Sequence, residues 1–238
     1  MLFRSLWSVE RRALFFLPPG EASVAALIPA ARALGMDEGA LARFRLALPG
    51  ADALGLTLSA GGASVRLYLQ WWDQMAARVA AGDTGPGLLY LGVKKLAGGV
   101  QRDDRYICLP LAPRAEYEPE LAGALGDFGL AAADIAPLLA PLSPETIIWT
   151  RSQGGGRDAW LATLRDAPMP VDHLIRALRA MPQPRPDLEG LTDALAKGPI
   201  LHIAGGQDAT KGRFVTFYVE TDAHGMAAFL RKAGLVAG

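Results

Sequence analysis

The sequence predicts an α+β fold. The expected form is a closed ten-stranded antiparallel β-barrel surrounded by helices, built from repeated helix–hairpin–helix (αββα) units as one domain over residues 1–238. Three observations carry this expectation. Strand-like runs occur in pairs joined by Gly-rich turns, helical stretches fall between the pairs, and each clear pair has one aliphatic face and one face bearing tyrosine and basic residues. Paired strands exclude a doubly wound parallel sheet, in which single strands alternate with helices.

Taken in order, the first hairpin is read at Leu2–Ser8 with Arg11–Leu17, and its alternation is the poorest of the five. Glu21–Leu34 and Glu38–Leu48 carry Ala, Leu and Arg at helical spacing, with Gly35 as the stop between them. The second hairpin pairs Leu54–Ser59 with Ser64–Trp72, and the short helix Asp73–Ala81 follows. The third pairs Leu88–Lys95 with Arg105–Leu111, across Gly98-Gly99 and Arg102–Asp104. A helical pair, Glu116–Leu125 and Ala131–Leu139, is expected to break at Gly126. The fourth hairpin pairs Thr146–Ser152 with Arg157–Leu164 across Gly154–Gly156. Helices Val171–Met181 and Leu188–Ala196 flank the Pro-rich tract Pro182–Pro186. The fifth hairpin pairs Ile200–Ala204 with Arg213–Glu220, and Asp222–Lys232 reads as the last helix. Glycine supplies the positive φ that tight hairpin turns demand.

Strand alternation carries most of the functional information. Leu54, Leu56, Leu58, Val65, Leu67 and Leu69 share one face of the second hairpin, and Thr57, Ser59, Arg66, Tyr68, Gln70 and Trp72 share the other. In the third, Tyr90, Gly92 and Lys94 face with Asp104, Tyr106 and Cys108. In the last strand Thr216, Tyr218 and Glu220 oppose Val215, Phe217 and Val219. The fourth hairpin gives no clean choice between Ile147/Trp149 and Ile148/Thr150. The aliphatic faces pack against helices. A polar face with four of the five tyrosines, interleaved with Arg66 and Lys94, suits an enclosed semi-polar cavity better than bulk water. Closing the sheet also removes its edges.

Composition narrows the function. Formal net charge is zero, which argues against non-specific nucleic-acid binding and against a polybasic membrane surface. Hydrophobic residues make up 51%, yet no run approaches the roughly 18 apolar residues of a membrane span. The N-terminus lacks the apolar core of a signal peptide, and the single cysteine, Cys108, forms no intramolecular disulfide, so a cytoplasmic location is expected. The Gly clusters lack the strand–loop–helix setting and Gly-Lys-Ser/Thr ending of a phosphate loop. No Gly-x-Ser-x-Gly elbow occurs. His202 opposes Leu201 and Ile203 in alternation and reads either as a chamber acid/base group or as a structural histidine. His173 and His224 fall on helices. Asp103-Asp104 reads as a solvated turn in preference to a Mg²⁺ ligand pair, and no metal ligand set is assigned.

Two strings carry a family resemblance. Val65–Leu69 (Val-Arg-Leu-Tyr-Leu) looks like the basic-x-Tyr strand with which ABBA (PT-barrel) aromatic prenyltransferases hold a prenyl diphosphate. Leu88–Val100, followed by Arg105–Pro110, is similar to a hairpin of that family that ends in Tyr-x-apolar-apolar-Pro. Asp104 stands where the family usually places a lysine. The resemblance implies a transferase of secondary metabolism that moves an allylic prenyl group from its diphosphate to a small aromatic or peptide side-chain acceptor. Arg66 and Lys94 would neutralise the diphosphate, and Tyr68, Tyr90, Tyr106 and Tyr218 would shield the cation. Trp72 and Gln70 would line the acceptor site, while Glu220 or a water would remove the ring proton. No cofactor is implied beyond a Mg²⁺ accompanying the diphosphate. The other function class open to such a barrel is a non-catalytic binding or assembly protein that uses it as a pocket.

Overall fold

A computed structural model of the chain describes residues 12–59, 64–153, 157–164, 169–181, 188–208 and 212–222. Nine strands form one antiparallel sheet: β1 (Arg12–Leu17), β2 (Ala53–Ser59), β3 (Val65–Gln70), β4 (Gly87–Lys95), β5 (Gln101–Leu109), β6 (Ile147–Gln153), β7 (Arg157–Leu164), β8 (Ile200–Asp208) and β9 (Gly212–Val219). Their spatial order is their sequence order, so each strand pairs only with its chain neighbours. Seven helices lie between hairpins: α1 (Glu21–Ala33), α2 (Glu38–Ala47), α3 (Trp72–Ala80), α4 (Arg114–Phe128), α5 (Ala132–Leu139), α6 (Val171–Arg179) and α7 (Leu188–Leu195).

The closed ten-stranded barrel is corrected. The described sheet is a nine-stranded half-barrel, open between β1 and β9. The strand expected at Leu2–Ser8 and the last helix expected at Asp222–Lys232 lie outside the described residues, apart from Asp222 itself, as does the tract Pro182–Pro186.

Alternation sets the two faces as expected. Leu54, Leu56, Leu58, Val65, Leu67 and Leu69 are buried with Leu27, Ile28, Leu41 and Phe44 of α1 and α2. Trp149, Trp160, Ala162, Leu164 and Ile203 pack with α4–α7, and the Trp149 and Trp160 rings stack 5.1 Å apart beside Tyr117. That packing decides the fourth hairpin: Ile147 and Trp149 face the helices. Each buried leucine in these layers contributes about 2–5 kcal/mol against truncation to Ala.

Three turn assignments change. Gly126 lies inside α4, which ends at Gly129 (φ 113°), where the N–H groups of Gly129 and Leu130 both donate to the Leu125 carbonyl. The third hairpin turns tightly through Ala97–Gly99, so Arg102–Asp104 belong to β5. Gly205 and Gly206 lie within β8 rather than in a turn. A Cβ on Gly205 would come within 2.4 Å of the Trp160 ring, so glycine there makes room for the stack.

Candidate functional site

The tyrosine-bearing face is concave. Leu14 and Phe16 of β1, Arg66 and Tyr68 of β3, Tyr90 of β4 and Tyr106 of β5 share one cavity with Ala159 and Leu161 of β7, His202 and Ala204 of β8 and Tyr218 of β9. The two halves of the sheet therefore curl toward a common space. The cavity volume is about 60 Å³. That is room for a few waters, so an occupant is small or displaces side chains. At one end, Met75 of α3 packs with Leu89 and Cys108, and Trp72, Tyr90 and Ile148 rest against them. The same burial pushes the Cys108 thiol up to about 12.

Glycines opposite aromatics shape the wall. Tyr68 pairs with Gly55 and Gly92, and a Cβ on Gly92 would meet the Tyr68 ring at 2.9 Å. The rings then form a run: Phe16 to Tyr90 at 6.5 Å, Tyr90 to Tyr106 at 6.2 Å and Tyr106 to Tyr68 at 6.0 Å between centroids. Across the cavity, His202 stands edge-on to Tyr218 at 5.8 Å, and its Nδ1 lies 2.8 Å from Thr163 Oγ1. Burial pushes the His202 imidazole down to about 4, which leaves it neutral at physiological pH.

Arg66 is the cation among the described residues that line this cavity. It is 6% exposed, its Nε has no hydrogen-bond partner, and none of the described ion pairs includes it. Burial pulls its guanidinium down. The nearby phenol oxygens of Tyr68, Tyr106 and Tyr218 more than reverse this, and it stands above its ordinary value. Register places Lys94 directly across from Arg66, and Arg102 directly across from Lys94. Three cations thus stand in one row of the concave face. A single buried carboxylate serves two of them: Asp104 pairs with Lys94 at very short range and with Arg102 at 2.9 Å. Lys94 Nζ also donates to Tyr106 Oη at 3.0 Å.

Six of the expected site residues therefore come together: Arg66, Tyr68, Tyr90, Tyr106, His202 and Tyr218. Four do not line the cavity. Lys94 lies fully buried behind Tyr106, held by Asp104. Gln70 donates to Asp52 Oδ1 at 3.2 Å, and the other Asp52 oxygen accepts the Asp73 N–H at the start of α3, so Gln70 orients a helix cap. Trp72 is the first residue of α3. Glu220 lies exposed beyond the end of β9, where its N–H bonds the Pro199 carbonyl.

Leu14, Phe16 and Leu161 line the cavity without a clear signal in the sequence, because alternation in the first and fourth hairpins assigns no face. Asp103 and Asp104 sit side by side in a strand and diverge, Asp103 to Arg43 at 2.8 Å and Asp104 to Lys94. They cannot grip one ion together, and among the described residues no group of three metal-ligating side chains forms. No described helix is long and apolar enough to cross a membrane.

No protein-family model, curated protein or solved structure matches the chain. The reading of the cavity therefore rests on its own chemistry.

Proposed function

We propose that the concave face is the reaction chamber of an aromatic-type prenyltransferase that uses a short allylic diphosphate. The observation that carries this reading is Arg66, a buried guanidinium with an unmet donor ringed by the phenols of Tyr68, Tyr106 and Tyr218. A fixed cation of this kind favours an anionic group and stabilises charge that builds on a leaving oxygen. Ring faces at about 6 Å spacing suit an allylic cation, which aromatic quadrupoles stabilise. The narrow space favours a five-carbon donor, whose bulk would displace the few waters that fit there.

The order of hairpins and outer helix pairs supports the resemblance to the ABBA prenyltransferases. One observation favours the second reading, a binding protein without chemistry. Lys94 has its charge committed to Asp104, which leaves Arg66 as the cation among the described lining residues.

Incubation of the chain with dimethylallyl diphosphate and a panel of phenols and indoles separates the two. Prenyl transfer yields a prenylated acceptor and one diphosphate per product. Thermal stabilisation by dimethylallyl diphosphate without product from any acceptor selects the binding protein. Absence of both product and stabilisation at millimolar donor refutes both.

A further inference from the structure

Tyr106 differs from the other chamber tyrosines in what stands behind it. Its oxygen accepts a hydrogen bond from Lys94 Nζ at 3.0 Å, and Lys94 and Asp104 are both fully buried. An ammonium has only donors to offer, so the phenol hydrogen of Tyr106 is directed away from Lys94. The charges described near this phenol are Arg66 from β3 and Lys94 from β4, with Asp104 on its own strand paired to Lys94. The neutral titratable groups are Tyr68, Tyr90, and, across the cavity, His202 and Tyr218. The buried Lys94 ammonium, 3.0 Å from the phenol oxygen, favours the ionised phenol.

His202, another chamber group able to carry a proton, has the opposite setting. Its described hydrogen bond is to a neutral hydroxyl, so a protonated imidazole there would be a second uncompensated cation facing Arg66.

We propose that Tyr106 is the proton-exchanging residue of the chamber, with Lys94 and Asp104 as positioning residues that hold its oxygen. This rests on the prenyl-transfer reading above. As the allylic C–O bond of the donor breaks, both electrons go to the diphosphate, and Tyr106 gives its proton to the departing oxygen. The resulting phenolate is stabilised by the Lys94 ammonium. The acceptor ring attacks the allylic cation and a C–C bond forms. The phenolate then takes the hydrogen from the attacked ring carbon, which restores both the aromatic ring and the Tyr106 hydroxyl. Prenyl diphosphate and arene become prenylated arene and protonated diphosphate, and Tyr106, Lys94 and Asp104 end as they began.

Titration of the near-ultraviolet phenolate band of the full chain tests the setting directly. One of the five tyrosines is expected to ionise at least about one pH unit before the others. Tyr106→Phe, which removes only an oxygen, abolishes that early step. Lys94→Met delays it and Tyr218→Phe leaves it in place. With dimethylallyl diphosphate and a productive acceptor, Tyr106→Phe lowers kcat by about 100-fold or more while KM stays within about threefold. An early step that survives in Tyr106→Phe, or a variant whose kcat stays within threefold of wild type, overturns the assignment. Should the wild-type chain form no product with any acceptor, the prenyl-transfer reading fails and the transfer cycle with it. The titration still shows whether Tyr106 has the ionisation on which the assignment depends.

Discussion

Replacing Arg66 by methionine separates ligand binding from folding. In the folded chain the guanidinium is 6% exposed, its Nε is unmet and it faces Lys94 across the ladder. Like charges opposed on neighbouring strands are destabilising. An unmet buried donor costs about 1–3 kcal/mol, and apolar replacement of buried charges is neutral to stabilising by roughly 1–4 kcal/mol. The loss of the contact with Tyr68 offsets about 1 kcal/mol of this. Methionine follows the path of the arginine stem without a charge, so a net gain of about 1–3 kcal/mol is expected. In a chain of this size each kcal/mol moves Tm by about 2–4 °C, which puts the variant roughly 2–12 °C above wild type. Inorganic diphosphate at about 100 times its Kd adds about 2.7 kcal/mol to the wild-type chain and nothing to the variant. Calorimetric scans at fixed protein and salt concentration, with and without diphosphate, read both effects. A variant that melts below wild type and keeps the full diphosphate shift would show that Arg66 serves the fold and not a ligand.

Three further outcomes follow from the same geometry. The pKa of His202 lies at about 4 in the fold, against about 6.5 in an unfolded chain, so the unfolded state binds more protons between those values. Stability therefore falls as pH is lowered through that window, by up to about 3 kcal/mol, and His202→Gln flattens the fall; identical urea curves for both chains at each pH would remove His202 as its cause. Gly205→Ala drives a methyl into the Trp160 ring, which cannot retreat from Trp149, and costs about 1–3 kcal/mol with a change in tryptophan emission. Arg114 donates to the carbonyls of Leu139 and Leu142 at 3.1 and 3.2 Å, tying α4 to the end of α5. Arg114→Ala should lose about 1–2 kcal/mol in urea unfolding, with lysine restoring less than half, because an ammonium lacks the guanidinium fork.

The sequence disclosed the two faces of the sheet wherever period-two alternation was clean. Tyr68, Tyr90, Tyr106 and Tyr218 were placed together because a strand has only two sides and the leucines had claimed one. The same rule failed at Ile147–Thr150, where both sides are apolar and only the stack of Trp149 on Trp160 under α4 decides. It also overreached at Glu220, since alternation does not show where a strand stops and β9 ends at Val219. Lys94 lies on the expected face, yet its Nζ meets Asp104 and Tyr106 and it does not line the cavity. Its partner, Asp104, looked like part of a solvated turn because a three-residue turn at Ala97–Gly99 leaves no mark distinct from the glycines around it. Curvature was beyond reach, since it depends on glycines such as Gly55 and Gly92 meeting aromatic rings from the next strand.

Strict neighbour-to-neighbour pairing of the strands has a consequence for how such a chain changes over time. Among the described strands none is inserted between others, so duplicating or deleting one hairpin with its helices widens or narrows the vessel without rewiring any other of these connections. Girth becomes a variable set by copy number, and the inner wall can be retuned one side chain at a time while the outer layers stay as they were.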